Sequence, residues 1–505
     1  MTPVNTKPYA LYTVMFLLGL MAVRIAALPF YSVGLHGDEA QYWSWAQDLD
    51  WGYFSKPPLI AWIIAVTTGI FGDSEWAVRL SSPIMHMLTA AMLYKTARFL
   101  WDSQTGFWAA TLYSIMPGVS LSAGLVSTDV ALLLLWAIAL YAILRLREKP
   151  QWRWAIITGV TIGIGLLAKY SMAFFLPAIF GAIVIDAPTR RALFSLKGVA
   201  ITLIAALILA PNMAWNAAHD FATLSHTASN TNPSAFGLHP LKLAEFWAAQ
   251  MAVFGPLTLA LYVMAIIAAL RGKHIEGSGD KRRWLMLFIL SPLILISIQA
   301  LLSRANANWA VTTYSAGSLL TARYIVVVFK AKKFTALAVA VNIGLGAFVI
   351  ASALSPSFAN KAGQANAFKR LRGWEATQLA VERALSAGHE GQSFSALATD
   401  NRLHFYDLKY YGQTYYAVDG HPPLKMWLRR AHAHNHAEAT QPLLASGADA
   451  LPVLIINKYP DYEAMFRDDF TRLERLGEID IDLGGGKRRR LKLWAGYGYA
   501  PTTTR

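Results

Sequence analysis

The residues best suited to chemistry lie close together near the start of the chain. Residues 35–45 read Leu35-His36-Gly37-Asp38-Glu39-Ala40-Gln41-Tyr42-Trp43-Ser44-Trp45, and residues 48–58 read Asp48-Leu49-Asp50-Trp51-Gly52-Tyr53-Phe54-Ser55-Lys56-Pro57-Pro58. Carboxylates, a lysine and many aromatics are packed into two dozen positions. A carboxylate such as Asp38 or Glu39 can take a proton from an attacking hydroxyl, and a lysine such as Lys56 can neutralise a phosphate that gains charge as a bond breaks. Asp38 also fits a structural role. Gly37-Asp38-Glu39-Ala40-Gln41 matches a helix start, with Asp38 as N-cap and Gln41 in capping-box spacing. The two roles do not exclude each other. Asp48-Leu49-Asp50 is a D-x-D triplet of the kind that holds a divalent metal, a pattern that is also common by chance.

Three later segments carry similar residue types. Ser127-Thr128-Asp129 offers a second acid, or equally an N-cap with an acid in the first helical turn. Lys169-Tyr170 and Arg79 offer cations that either meet a phosphate or snorkel at a helix end. His219, His226 and His239 are spaced too loosely for a metal site and read as loop histidines.

The elements that position these residues are membrane helices. The chain has 505 residues, 55% hydrophobic and 15% charged, against roughly 25% charged for soluble domains. Its 17 Trp, 21 Tyr and 24 Phe exclude a disordered protein. Without a cysteine, it has no disulfide, thiolate nucleophile, Cys-bound zinc or iron–sulfur cluster. Eleven apolar runs, at 9–29, 77–97, 105–122, 129–145, 153–170, 171–187, 198–216, 243–270, 285–303, 308–329 and 334–354, are each about long enough to cross a bilayer as helix. Two of them meet at Lys169-Tyr170-Ser171, and Phe254-Gly255-Pro256 interrupts another. The first run, preceded by Lys7, reads as a retained helix and not a removed signal.

The formal charge of +15 is a topology signal. With the N-terminus inside, the inner side receives Lys7, Lys95, Arg98, Arg145, Arg147, Lys149, Arg153, Arg190, Arg191, Lys197, Arg271, Lys273, Lys281, Arg282, Arg283, Lys330, Lys332 and Lys333. The outer side receives Lys56, Arg79, Lys169, Lys242 and Arg304. This asymmetry follows the positive-inside rule and argues against nucleic-acid binding. It places the first loop and the tail outside. Arg24 and Arg323 fall within spans and are expected to face the bundle or the interface.

Leu59–Phe71 is apolar but too short to span, and reads as an interfacial helix. The expected division is 1–354 as a transmembrane domain that includes the first outer loop, 30–76, and 355–505 as a small soluble α/β domain. In the tail, 451–457 and 488–494 read as strands and 461–470 as helix. Thr399-Asp400-Asn401-Arg402 and Tyr410-Tyr411 are its candidate functional residues. Gly159–Gly165 reads as close helix packing, and Gly484-Gly485-Gly486-Lys487 as a turn that lacks Walker A spacing. No ATP, NAD or nucleotide-sugar motif is visible.

The ordered string of motifs resembles the GT-C class of membrane glycosyltransferases. It comprises Gly37–Ala40, Tyr53–Leu59, Arg79–Ser82, Ser127–Asp129 and Leu167–Lys169. It is most similar to the bacterial protein mannosyltransferase-like family that includes the aminoarabinose and galacturonic acid transferases of lipid A and core sugars. The resemblance covers residues 1–330 and barely the tail. It implies an inverting transfer of a hexose or pentose from a polyprenyl-phosphate donor to lipid A, lipopolysaccharide core or another envelope glycan. The expected location is the bacterial inner membrane, with the site and tail facing the periplasm. It further implies that Asp38, Glu39 and Asp129 are the catalytic carboxylates, and that Tyr53, Lys56, Arg79, Lys169 and Tyr170 bind the donor phosphate. No metal ligand is assigned, and a divalent metal stays open only through the D-x-D triplet. Gln41 stands where several relatives carry Arg, which leaves donor preference open. Two rival readings are a lipid-linked glycan transporter or flippase and a non-catalytic membrane subunit. The gathering of acids at the outer edge favours the transferase over the transporter.

Overall fold

A computed structural model of the chain describes residues 8–231, 236–272, 279–329, 331–430, 432–447 and 449–502. Lys7, Lys273 and Lys330, assigned above to the inner side, lie outside the described residues. The chain forms two compact units. The first is Met1–Phe30, Asp50–Gly52 and Lys56–Ile350; the second is Tyr31–Leu49, Tyr53–Ser55 and Ala351–Arg505.

The first unit is helical, and all eleven apolar runs fold as helix. Among the described residues, five helices are long and apolar enough to cross a bilayer: Tyr9–Phe30, Thr128–Glu148, Leu196–Ala218, Lys281–Leu302 and Lys332–Leu354. Two bent pairs raise this to seven if each is one span, Tyr170–Ile185 with Ala187–Leu193 at 114° and Pro240–Phe254 with Pro256–Leu270 at 109°. The expected count of eleven is not reached on this measure, and the reasons are local. Pro117 divides one run into Ser103–Ser114 and Pro117–Ser122. The helices Trp152–Ala168 and Thr313–Val327 have 17 and 15 residues. Ser81–Leu100 buries His86, Thr89 and Thr96 on its inner face, which lowers its apolarity. Leu59–Phe71 has 13 residues, about 20 Å of helix, short of the hydrocarbon thickness.

Three buried arginines inside this unit are paired, as a lipid-surrounded bundle requires of its charged groups. Arg24 donates to the Ser114 carbonyl at 2.7 Å and to Ser120 Oγ at 3.2 Å. Arg323 reaches Asp102 at 2.8 Å, and Asp102 also caps Ser103–Ser114 through the Thr105 N–H. Arg147 grips Asp186 with two bonds of 2.9 and 2.6 Å. Both intraspan arginines therefore face the bundle, as expected.

Glycine sets two close approaches. At Gly163 a Cβ would lie 2.9 Å from Ile208 Cβ, so Trp152–Ala168 and Leu196–Ala218 pack backbone to side chain there. Gly255 forms the 109° bend with φ +94°, and a Cβ there would lie 1.9 Å from Asn342 Oδ1. Pro256 cannot donate an N–H to continue the helix. Asn342, from Lys332–Leu354, instead donates to the Phe254 carbonyl at 3.1 Å, and also to Thr258 Oγ1 at 3.1 Å.

The second unit is α/β. Its strands are β1 (Ala396–Thr399), β2 (Leu424–Met426), β3 (Val453–Asn457), β4 (Phe470–Gly484) and β5 (Lys487–Tyr499), in sheet order β2-β1-β3-β5-β4. β1 is parallel to β2 and β3, whereas β5 is antiparallel to β3 and β4. Ile455, Trp427, Phe466, Trp494 and Tyr499 form a core on one face. Trp427 donates its indole N–H to Asp469 at 2.9 Å. The strands expected at 451–457 and 488–494 and the helix expected at 461–470 are present, the last as Pro460–Tyr462 and Glu463–Asp469. The glycine run is the β4–β5 turn, with positive φ at Gly484, Gly485 and Gly486.

Gly255→Ala is expected to destabilise the full-length protein by more than about 1 kcal/mol through its left-handed backbone alone. Asn342→Ala should cost about 1 kcal/mol by removing one of the two side-chain donors to the Phe254 carbonyl, Thr258 Oγ1 remaining as the other. Thermal melting in detergent checks both, and the double variant should lose less than the sum.

Candidate functional site

The candidate residues fall into two groups, one on each unit. In the first unit, Asp129 occupies the first turn of Thr128–Glu148, whose N-cap is Ser127. Lys169 closes Trp152–Ala168 in an extended conformation. Its Nζ lies 2.7 Å from Asp129 Oδ1, while Asn308 Nδ2 donates to Oδ2 at 2.7 Å. Three helix ends thus meet on one carboxylate. Tyr170 donates to Asn212 Oδ1 at 2.7 Å and accepts from Asn216 Nδ2 at 3.2 Å. Asn212 in turn donates to the Trp51 carbonyl at 2.6 Å, and Trp215 donates its indole N–H to Asp50 Oδ2 at 2.5 Å. The helix Leu196–Ala218 therefore fixes the 50–52 segment. Arg79 ends the short helix Glu75–Arg79 and is fully buried. Lys56 is half-buried, and Pro57 and Pro58 lead from it into Leu59–Phe71.

In the second unit, the helix Gly37–Ala46 carries Asp38 and Glu39. Asp38 is not its N-cap. His36 caps the helix, with the Asp38 N–H donating to His36 Nδ1 at 3.2 Å and the His36 N–H donating to Glu39 Oε2 at 2.9 Å. The expected Asp38–Gln41 box lies two residues earlier, between His36 and Glu39, because an imidazole nitrogen accepts as a hydroxyl would. Glu39 is buried in that role. Asp38 is left half-exposed, 3.3 Å from Arg402 Nη2. The other guanidinium nitrogen of Arg402 donates to Gln41 Oε1. Arg402 opens the helix Arg402–Tyr411, which packs on Gly37–Ala46. A Cβ at Gly37 would sit 2.8 Å from Leu403 Cβ, and Trp43 meets Tyr410 edge-on at 4.9 Å. Asp407 is buried under this contact. Burial pushes its carboxyl well above the usual range, with Asp38 and Glu39 adding and Arg489 opposing. Arg489 is pushed down to about 10 by burial; it lies over Trp374 and donates to Thr377.

Tyr53 is buried, stacked on Trp45 at 4.5 Å, and its hydroxyl lies 3.0 Å from the carbonyls of both Trp45 and Asp48. Its hydroxyl is thus directed at the loop backbone. Asp50 takes the Trp215 indole and the Trp51 N–H, and among the described residues the one group of three with ligand atoms within 4.8 Å of one another is His389, Glu390 and Glu474. Arg472 pairs with both of those glutamates.

Sequence reasoning named Asp129 and Lys169 separately, and the structure joins them through the 2.7 Å ion pair. It gave no signal for Asn212, Asn216 or Asp407. Arg402 stood out only by its place in the tail.

Residues 55–215 match the family model described as dolichyl-phosphate-mannose-protein mannosyltransferase. The chain is 37% identical over 309 residues to the lipid A galacturonosyltransferase RgtD of Rhizobium johnstonii, covering 61% of this chain and 64% of that one. It is 29% identical over 172 residues to the undecaprenyl phosphate-alpha-4-amino-4-deoxy-L-arabinose arabinosyl transferase of Pseudomonas savastanoi pv. phaseolicola, covering 29% of this chain and 31% of that one. The chain thus spans less than two thirds of the length of these curated relatives. The crystal structure of ArnT from Cupriavidus metallidurans bound to undecaprenyl phosphate superposes with a TM-score of 0.64 at 15% identity, over 96% of this chain and 98% of that one. The fold is that of the GT-C membrane glycosyltransferases, and the protein is a multi-span membrane protein. Within that class, its sequence is related to the aminoarabinose and galacturonic acid lipid A transferases.

Lys169→Met should destabilise the protein by about 3 kcal/mol or more, because it strands Asp129 in a mostly buried position. Adding Asp129→Asn should restore most of the lost melting temperature. In the second unit, burial raises the Asp400 carboxyl to about 6 from 3.8. An acid whose pKa is raised by folding penalises the folded state increasingly as pH rises from about 4 to about 6. Protection of the 453–459 amides, corrected for intrinsic exchange, should therefore fall over that window, and Asp400→Asn should flatten the fall.

Proposed function

We propose that the protein is an inverting glycosyltransferase that moves a sugar, most closely a uronic acid, from a polyprenyl-phosphate donor to lipid A. Its active side faces the periplasm. The observation that carries this reading is the 37% match to a lipid A galacturonosyltransferase. The arrangement of the candidate residues supports it.

The leaving group is a lipid phosphate, whose charge grows as the glycosidic bond breaks. Preorganised cations in a dry site stabilise that charge most. Lys56, Arg79 and Lys169 supply them in this reading. Asp129 and Asn308 hold the Lys169 ammonium in place, so it is ordered before the donor arrives. Tyr170, locked by Asn212 and Asn216, presents its ring beside that lysine in sequence. Tyr53 acts by fixing the loop before Lys56.

Asp38 is the base. Because His36 and Glu39 cap its helix, its carboxylate is not committed to the backbone. Arg402 aims it through a contact of 3.3 Å. It takes the proton of an attacking acceptor hydroxyl as the sugar carbon is displaced with inversion. An acceptor phosphate would arrive ionised, and Asp38 would then position it. Glu39 contributes by holding the helix start.

Purified protein, an undecaprenyl-phosphate uronic acid donor and lipid A are expected to yield lipid A heavier by one sugar in mass spectrometry. Asp38→Asn should lower kcat by about 100-fold or more with a smaller effect on donor KM. Full activity of Asp38→Asn would remove it as base. Absence of transfer with this donor and with an aminopentose donor would overturn the function.

A further inference from the structure

We propose that the end of the helical unit opposite Asp129 and Lys169 binds the phosphate of an anionic phospholipid headgroup, with Lys95 and Arg145 as its ligands on a ledge of Phe99, Tyr141 and Trp154. The inference does not depend on the transferase reading and concerns the other membrane leaflet.

Two helices define the place. Thr128–Glu148 carries Asp129 in its first turn and Arg145 in its last, and Trp152–Ala168 runs from Trp154 back to Lys169. Sixteen residues separate Asp129 from Arg145, about 24 Å of helix, which is most of a hydrocarbon core. Trp152, half-exposed, stands at the Arg145 end, and tryptophans at a helix end mark the depth of lipid headgroups.

The ledge is built from three helices. Tyr141 meets Phe99 edge-on at 6.2 Å and Trp154 edge-on at 5.6 Å. Phe99 comes from Ser81–Leu100, Tyr141 from Thr128–Glu148 and Trp154 from Trp152–Ala168. Arg145 lies over all three rings, 4.6 Å from the Phe99 centroid, 4.7 Å from Trp154 and 5.6 Å from Tyr141. It also donates to the Tyr141 hydroxyl at 2.6 Å. Lys95 Nζ sits 4.9 Å over Tyr141, Arg153 4.9 Å over Trp154, and Lys281 Nζ 5.9 Å over Phe99. All of these lie within cation–π range.

Each ring therefore holds Arg145 and a second cation. Their distances to the shared ring place the two at most about 10.5 Å apart, close to the screening length of physiological salt. The carboxylates nearby are engaged. Glu148 pairs with Arg147, and with Lys281 at 3.4 Å. Asp186 takes two bonds from Arg147, and Asp102, three residues beyond Phe99, pairs with Arg323. Among the described residues, Lys95, Arg145 and Arg153 make no ion pair with a carboxylate. A ring face attracts a cation without cancelling its charge. A phosphate cancels it, through charge-assisted hydrogen bonds. The charge bias that sets topology requires cations at this end, but not their convergence on shared rings.

The apolar surroundings select a lipid over a free phosphate. Leu88, two helical turns before Lys95, and Ile156, beside Trp154 in the chain, are exposed apolar side chains. Acyl chains below a phosphate on the ledge would run along such surfaces. Basic sites between helix ends in this leaflet suit anionic headgroups in general.

Full-length protein in zwitterionic detergent micelles is mixed with equal amounts of phosphatidylglycerol and phosphatidylcholine, and the retained lipid is counted by native mass spectrometry. The wild type is expected to prefer phosphatidylglycerol by roughly 10- to 30-fold. K95A/R145A should lower the preference to about three-fold or less. R190A/R191A, which removes two exposed cations of the same side that touch none of the three rings, should keep it. No preference in the wild type, a preference retained by K95A/R145A, or an equal loss in both double variants overturns the proposal. Lys95 is exposed, so Lys95→Gln should fold as the wild type does and lower the preference by about five-fold. If the double variant fails to fold, an unchanged preference in Lys95→Gln overturns the proposal. Excess inorganic phosphate should leave phosphatidylglycerol bound; if it displaces the lipid, the ledge is a soluble-anion site and the lipid assignment falls.

Discussion

Irregular backbone that is buried must find partners for its N–H and C=O groups, and the first loop meets that constraint with side chains. Between Gln47 and Pro58 there is no helix and no named strand, yet Gly52, Tyr53, Ser55 and Pro57 are buried. The Tyr53 hydroxyl serves two carbonyls, Asn212 serves the Trp51 carbonyl, and Trp62 serves the Asp50 carbonyl. Gly52 lies so close to the Trp215 ring that a Cβ would meet it at 2.4 Å. Aromatics that read in sequence as a membrane-interface belt are thus also the loop's hydrogen-bond donors.

Much of this was legible before the structure. Apolar runs located the helices, Gly-x-x-x-Gly spacing located the packing of Trp152–Ala168, and the Phe254-Gly255-Pro256 break appeared where expected. The span count was less legible, because run length does not reveal where a proline divides a helix or where a bundle-facing side is polar. The helix start at Gly37 was misplaced by the assumption that an oxygen-bearing side chain must cap it; histidine offers a lone pair too. β4 escaped because it is a mostly exposed edge strand. Its Leu473, Ile479, Ile481 and Leu483 fall out of simple alternation at the bulge near Gly477. Asp50 of the D-x-D triplet accepts an indole N–H from a helix 165 residues away, a partner no local pattern announces.

The carboxylates of the second unit divide according to solvent. Asp38 keeps water on one side and a guanidinium on the other. Asp407, a few ångströms from Gly37, is shut off from solvent, and burial drives its carboxyl toward the neutral form against the opposing charge of Arg489. Were Asp407 ionised, three negative charges would crowd the start of one helix. The same burial pushes the Arg489 guanidinium, stacked on Trp374, down to about 10.

The bend at Gly255 ties two distant positions in the chain together. Only glycine tolerates that backbone so near Asn342, and Asn342 joins Thr258 in answering the carbonyl at the bend. Neither residue gains anything alone. A lineage that loses one is under pressure to lose the other, by straightening the span and replacing the asparagine with an apolar residue. The two sites should therefore drift as a linked pair across descendants of this sequence, recording in paired replacements the moments at which the bend was made or abolished.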